Sequence, residues 1–111
     1  MTLGGVRMLP ERIGREIRSR LETALGNRLQ GVVLFGSAAR GEEHRESDLD
    51  LMVLLEEPVR LGKDLETIVD ALYPVQLEID APIHAMPVSA RTFKAGEFGI
   101  YRNARREGAF L

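Results

Sequence analysis

The stretch DLDLMVLL, Asp48 to Leu55, constrains the fold more than any other part of the chain. After Asp50 every residue is apolar, so a strand here must be covered on both faces. That places it in the middle of a sheet, with other layers of structure on either side. Its head carries an unusual charge. Residues i and i+2 of a strand point to the same face, so Asp48 and Asp50 present two carboxylates side by side. Left alone they repel, and one of the two pKa values rises. A hard divalent cation removes the conflict. Magnesium takes oxygen ligands, often one or two carboxylates together with substrate phosphates. Two-metal phosphoryl-transfer sites are built in this way.

The segment before it reads GVVLFGSAARG. Gly31 to Phe35 is a short, β-branched, apolar run, a buried strand. It stops at Gly36-Ser37. Gly36 permits close backbone approach and unusual dihedrals. Ser37 offers a hydroxyl and a backbone N–H where SAAR begins a short helix, and free amides at a helix start cradle phosphate. Arg40 is placed to contact phosphate or to pin the loop. One continuous stretch therefore combines a phosphate grip with carboxylates suited to the metal that accompanies a triphosphate. Taken singly, each part has a plainer reading: Gly-Ser as an ordinary turn, D-x-D as a solvated strand end.

The other elements follow from periodicity. Leu9, Ile13, Ile17, Leu21 and Leu25 recur every four residues and predict an amphipathic helix, with Pro10 in its first turn and Gly26 at its stop. Leu61, Leu65, Ile68, Val69 and Leu72 predict a second helix that Pro74 ends. Ile79 to Ser89 reads as a third strand, whose Pro82 and Pro87 demand an edge position or a bulge. Ser89 is placed to cap a helical turn through Phe93. A last helix, about Glu97 to Glu107, carries Phe98 and Tyr101 on one face and Arg102, Arg105 and Arg106 elsewhere, with Gly108 closing it. Helices interleaved with strands give an α/β or α+β fold, a small mixed β-sheet flanked by helices, in a single domain over residues 1–111.

Composition narrows the function. The net charge is −2, so no overall positive field draws the chain to nucleic acid or to an anionic membrane, and direct nucleic-acid binding is not expected. There is no cysteine, which excludes disulfides and thiolate zinc sites. No apolar run approaches the ~18 residues of a membrane span, and the start lacks a signal-peptide core, so the cytoplasm is the expected location and no membrane partner is expected.

The joint string GSAARGEEHRESDLDL resembles the signature G-S-x-A-R-G-x5-S-D-x-D-L of the polymerase-beta-like nucleotidyltransferase superfamily, in its minimal nucleotidyltransferase branch. Gly36, Ser37, Ala39, Arg40, Gly41, Ser47, Asp48, Asp50 and Leu51 all fit. The resemblance implies the nucleotidyltransferase fold, a nucleoside triphosphate such as ATP, Mg2+ and transfer of a nucleotidyl group to an acceptor. By carry-over, Gly36 and Ser37 hold the β- and γ-phosphates, with Arg40 and Ser47 in the same nucleotide-binding loop, and Asp48 and Asp50 bind metal.

The family also has a third carboxylate on a later strand. Asp80 is the candidate for it, as catalytic residue and metal ligand, with Glu78 on the same strand face if the strand starts early. By the family's register the position falls nearer Pro82 to His84, which leaves Asp80 at the strand entrance and brings His84, a poor magnesium ligand, near the metals. The chain ends at Leu111, without the helical domain that binds the acceptor in larger relatives. The acceptor surface is then expected from a self-dimer or from a separate small helical protein of the HEPN type, as in toxin–antitoxin pairs where the nucleotidyltransferase adenylylates its partner. Tyr101 and the nearby arginines are placed to serve nucleotide or partner, or simply to form a packed helix with a basic outer face. The rival reading is a module that binds nucleotide or partner and acts by contact alone. Transfer to a small molecule such as an aminoglycoside is a weaker third.

Overall fold

The computed structural model describes residues 9–36 and 48–111. The order of elements is α1 (Glu11–Leu25), a 3-10 turn (Gly26–Arg28), β1 (Leu29–Phe35), β2 (Leu49–Leu55), α2 (Leu61–Gln76), β3 (Ile83–Ser89), α3 (Ala90–Ala95), α4 (Gly99–Glu107) and β4 (Ala109–Phe110). The strands form one mixed sheet in the order β3-β2-β1-β4. β1 runs antiparallel to β2 and β4, whereas β2 and β3 are parallel, as the α2 crossover between them allows. This is the expected α+β architecture, with β2 inside the sheet and β3 at its edge. No helix among the described residues is long and apolar enough to cross a membrane.

The period of two along β2 divides the core. Leu49, Leu51, Val53 and Leu55 face a larger cluster that includes Ile13, Ile17, Leu21 and Leu25 of α1 and Ile68, Leu72 and Val75 of α2. Met52 and Leu54 face the other way, with Val33, Val88, Ala90, Phe93 and Ala104. The sheet therefore has α1 and α2 on one face and α3 and α4 on the other.

Helix α1 buries the stripe its spacing predicts. Leu9 joins the core from outside the helix, and Pro10 stands at the cap position rather than inside the first turn. Gly26 stops the helix with φ +59°. In α2 the stripe is turned from expectation. The core takes Asp64, Ile68, Leu72 and Val75, while Leu61, Val69, Tyr73 and Leu77 are exposed. The helix also runs past Pro74 to Gln76. Burying Val75 contributes about 2 kcal/mol, more than the about 1 kcal/mol of the one hydrogen bond that Pro74 cannot make.

Asp64 is the one buried charged or polar side chain among the described residues. Its carboxylate accepts two bonds from the Arg28 guanidinium, at 2.9 and 3.1 Å, and one from the Arg60 amide at 2.9 Å. It therefore satisfies an orphan amide at the start of α2 while tying that helix to the chain entering β1. Arg28 also donates to the Pro58 carbonyl at 2.8 Å, which fixes the turn after β2.

Strand β3 begins at Ile83, later than the sequence pattern predicts, because α2 extends to Gln76 and a turn fills the interval. The Leu49 amide donates to the Pro82 carbonyl at 2.8 Å, so the even-numbered residues of β3 direct their backbone groups at β2. The odd-numbered ones face the free edge. There Gln76 accepts from the Ile83 amide at 2.8 Å and donates to the Ala81 carbonyl at 2.9 Å. Pro87 presents no donor at all. The edge is thus blunted against further strand pairing.

At the C-terminal end Ser89 caps α3, accepting from the Thr92 amide at 3.2 Å, as its position predicts. Gly108 closes α4, and the two-residue strand β4 then pairs with Val33 and Leu34 of β1. That strand is too short to show a period in the sequence.

Candidate active site

The C-terminal end of β1 and the N-terminal ends of β2 and β3 meet at one end of the sheet. In register across these strands lie Phe35, Asp50 and His84. Asp50 shares a face with Met52 and Leu54, and His84 with Met86 and Val88, so both side chains point to the side that carries α3 and α4. Those helices pack over the far end of that face, on Leu54 and Val88. The near end stays accessible: the side chains of Asp48 and His84 are 45% and 61% exposed. A shallow groove of about 310 Å³ runs past this sheet end, with Phe35, Asp50, His84 and Met86 on one side and Leu65 and Val69 of α2 on the other.

Gly36 leaves β1 with φ +83°, in the left-handed region that side chains disfavour. A Cβ on Gly36 would lie 2.8 Å from Asp50 Oδ2. The turn therefore passes directly against the carboxylate, and only glycine fits both the dihedral and the space. Gly36 and Asp50, one from each half of the sequence motif, are thereby in contact. Gly36→Ala is expected to weaken binding of a metal–triphosphate complex at least tenfold in calorimetric titration, since it must push Asp50 aside. Thermal denaturation is expected to register the strained backbone as a loss of about 1 kcal/mol.

The charges are arranged as two close carboxylates demand. Burial raises the Asp50 pKa above the ordinary carboxylate range; His84 pulls it back, and Asp48 adds to the rise. His84 Nε2 lies 2.8 Å from Asp48 Oδ2. An oxygen pair of this kind, partly exposed and countered only by one imidazole, suits a hard divalent cation whose remaining ligands come from phosphate.

Asp80 does not join this group. It is exposed, in the turn ahead of β3, two residues before Pro82. Among the described residues no cluster of three or more His, Cys, Asp or Glu side chains is placed to hold a metal. The neighbour of Asp50 on β3 is His84, inside the Pro82 to His84 window that the family register indicates. A signal for it exists in the sequence: a strand that starts after Pro82 puts His84 at the depth of Asp50. Ser37, Arg40 and Ser47, and with them the expected SAAR helix, lie outside the described residues.

The exposed arginines of the C-terminal helix bond to the protein itself. Tyr101 packs between Phe93 and Phe98, with ring centroids at 6.1 and 5.4 Å. Arg102 donates to the Gly96 carbonyl at 2.7 Å, Arg105 to the Lys94 carbonyl at 3.0 Å and Arg106 to Asn103 Oδ1 at 2.8 Å. The Arg102 and Arg105 bonds hold α4 to α3, whereas the Arg106 bond stays within α4.

Comparison with known proteins agrees with this geometry. The family model described as "Nucleotidyltransferase domain" matches residues 15–104. Two proteins of Methanocaldococcus jannaschii, each named "putative protein adenylyltransferase", are similar in sequence. MJ0604 is 28% identical over 105 residues, covering 94% of this chain and 99% of that protein. MJ0141 is 42% identical over 43 residues, 39% of this chain and 43% of that protein. A solved structure described as a crystal structure of a toxin–antitoxin with AMP-PNP shares the fold, with a TM-score of 0.60 at 21% identity, over 87% of this chain and 70% of that one. A match that spans most of the chain makes this chain a member of the nucleotidyltransferase domain family, and hence an enzyme of nucleotidyl transfer.

Proposed function

We propose that this protein transfers AMP from ATP to an acceptor on a partner protein, with a divalent cation held by Asp48 and Asp50. The observation that carries the proposal is the contact between Gly36 and the Asp50 carboxylate beside Asp48. A phosphate-gripping turn and a cation-binding pair occupy the same few ångströms. The adenylyl group and the protein acceptor are supported by the names of the two archaeal relatives, and a dedicated partner by the toxin–antitoxin neighbour with its bound ATP analogue. In keeping with the family resemblance, the partner is a small helical protein of the HEPN type.

In this reading Gly36 and Ser37 place the β- and γ-phosphates at the end of β1. Asp48 and Asp50 direct their oxygens to the same point from β2. Bound Mg2+ would offset the negative charge that builds on the α-phosphate and on departing pyrophosphate. The acceptor hydroxyl oxygen forms a bond to the α-phosphorus as the bond to pyrophosphate breaks, and the hydroxyl proton is lost to a base. The exposed mouth beside Asp48 and His84 leaves room for an acceptor carried by another chain. Asp80, exposed before β3, is kept out of the metal-binding pair.

The test is incubation with ATP labelled on the α-phosphate and the candidate helical partner, followed by mass spectrometry of that partner. The expected result is a gain of one AMP or more on a hydroxyl side chain, dependent on a divalent ion. Label retained in ATP with every partner tried, although metal and nucleotide bind, would sink the reading.

A further inference from the structure

The place on β3 beside Asp50 is filled by an imidazole. Three observations set it apart from a chance surface histidine. It is in register with Asp50 on the adjacent parallel strand. It lies on the face that carries Asp50, by the alternation with Met86 and Val88. Its Nε2 is 2.8 Å from Asp48 Oδ2. Stability does not explain the contact, because an ion pair this exposed contributes little to folding.

The spacing has a chemical meaning. Two ligand atoms bound to one octahedral ion at ~2.0–2.1 Å and a right angle are about 2.9 Å apart. The Asp48 oxygen and the His84 nitrogen stand at nearly that separation, as a hydrogen-bonded pair whose shared proton a bound cation would replace. Carboxylate oxygens suit magnesium, whereas imidazole suits first-row transition ions and is a poor ligand for magnesium.

We propose that His84 is a metal ligand of this site, acting with Asp48, and that it moves the ion preference of the site from magnesium toward the first-row transition ions, with manganese, the weakest binder of that series, as the spectroscopic probe. The proposal rests on the reading of this site as a metal–triphosphate centre. His84 would add one nitrogen to the carboxylate oxygens of the proposed site, and phosphate oxygens from the nucleotide would complete the shell. The imidazole then serves as a specificity determinant, selecting the ion with which the enzyme works.

The experiment compares the unaltered protein with His84→Asp and His84→Ala. Binding of Mn2+ and of Mg2+ is titrated in the presence of a nonhydrolysable ATP analogue, and pulsed EPR of the bound Mn2+ reads coupling to nitrogen. The unaltered protein is expected to show an imidazole nitrogen coupling that is missing from both variants. Its preference for Mn2+ over Mg2+ should fall at least tenfold in His84→Asp, which still binds Mg2+. Equal weakening of both ions in both variants would assign His84 to holding Asp48 in place and overturn the proposal. So would a nitrogen signal unchanged by the substitutions. If neither ion binds to any of the proteins with nucleotide, the metal–triphosphate reading fails first, and this proposal with it.

Discussion

Asp50→Asn is expected to lower nucleotidyl transfer at least about a thousandfold while leaving the fold intact or slightly firmer. A thousandfold corresponds to about 4 kcal/mol of transition-state stabilisation. That is the scale expected when a charged group aimed at developing phosphate charge is lost. The stability side follows from the environment. Burial and the neighbouring Asp48 both act against an ionised carboxyl at this position. Asparagine keeps the shape and removes the charge, so folding no longer bears that repulsion. Asp48→Asn should cost a similar factor in activity. The measurements are initial rates of label transfer and thermal unfolding of the same preparations. Activity lost together with the fold would mean that the residue is structural. Activity retained at a tenth or more would remove Asp50 from the mechanism. A site that destabilises its own fold in this way is characteristic of catalytic machinery rather than of packing.

The second large effect lies at the opposite end of β2. Asp64→Ala is expected to reduce folding stability by about 2 kcal/mol, because it removes the charge-assisted bonds from the partly exposed Arg28 guanidinium and leaves the Arg60 amide at the start of α2 without its acceptor. The loss should depend on pH in a definite direction. The Arg28 hydrogen bonds hold the Asp64 pKa below the ordinary range; burial opposes this, and the Arg60 amide adds to the lowering. A carboxylate depressed in the folded state contributes stability above its unfolded pKa, about 3.9, and loses it as pH falls through the lower folded value. Chemical denaturation should show a constant gap between the two proteins from about pH 5 to pH 8, closing below about pH 4. A gap that persists unchanged into acid would show that packing, not the ion pair, carries the effect.

Most of the fold was legible because strong periods decided it. The all-apolar run after Asp50 demanded a covered central strand, and β2 is that strand. The four-residue stripe of α1 is buried as read. Where the reading slipped, a distant contact had overridden a local pattern. In α2 the stripe is rotated because Arg28 draws Asp64 inward. Pro74 fails to end the helix because Val75 has a place in the core. The extension of α2 past Pro74 delays the start of β3, and the same delay moves Asp80 off the strand and sets His84 beside Asp50. The candidate site shows the same division. Gly36, Asp48 and Asp50 were legible because a glycine turn and a D-x-D strand head carry their chemistry in local spacing. The partner on β3 was legible only as a choice between Asp80 and the Pro82 to His84 window, because the register that decides it is fixed by where β3 begins in the folded sheet.

The claim at the centre of this account is that one sheet end holds triphosphate and cation together. It is tested most directly by titrating a nonhydrolysable ATP analogue into the protein with a divalent cation present, and again with the cation chelated. The account predicts binding in the first case, a loss of at least tenfold in affinity in the second, and the same loss in Asp50→Asn with cation present. Nucleotide affinity that is indifferent both to the cation and to Asp50 would contradict it.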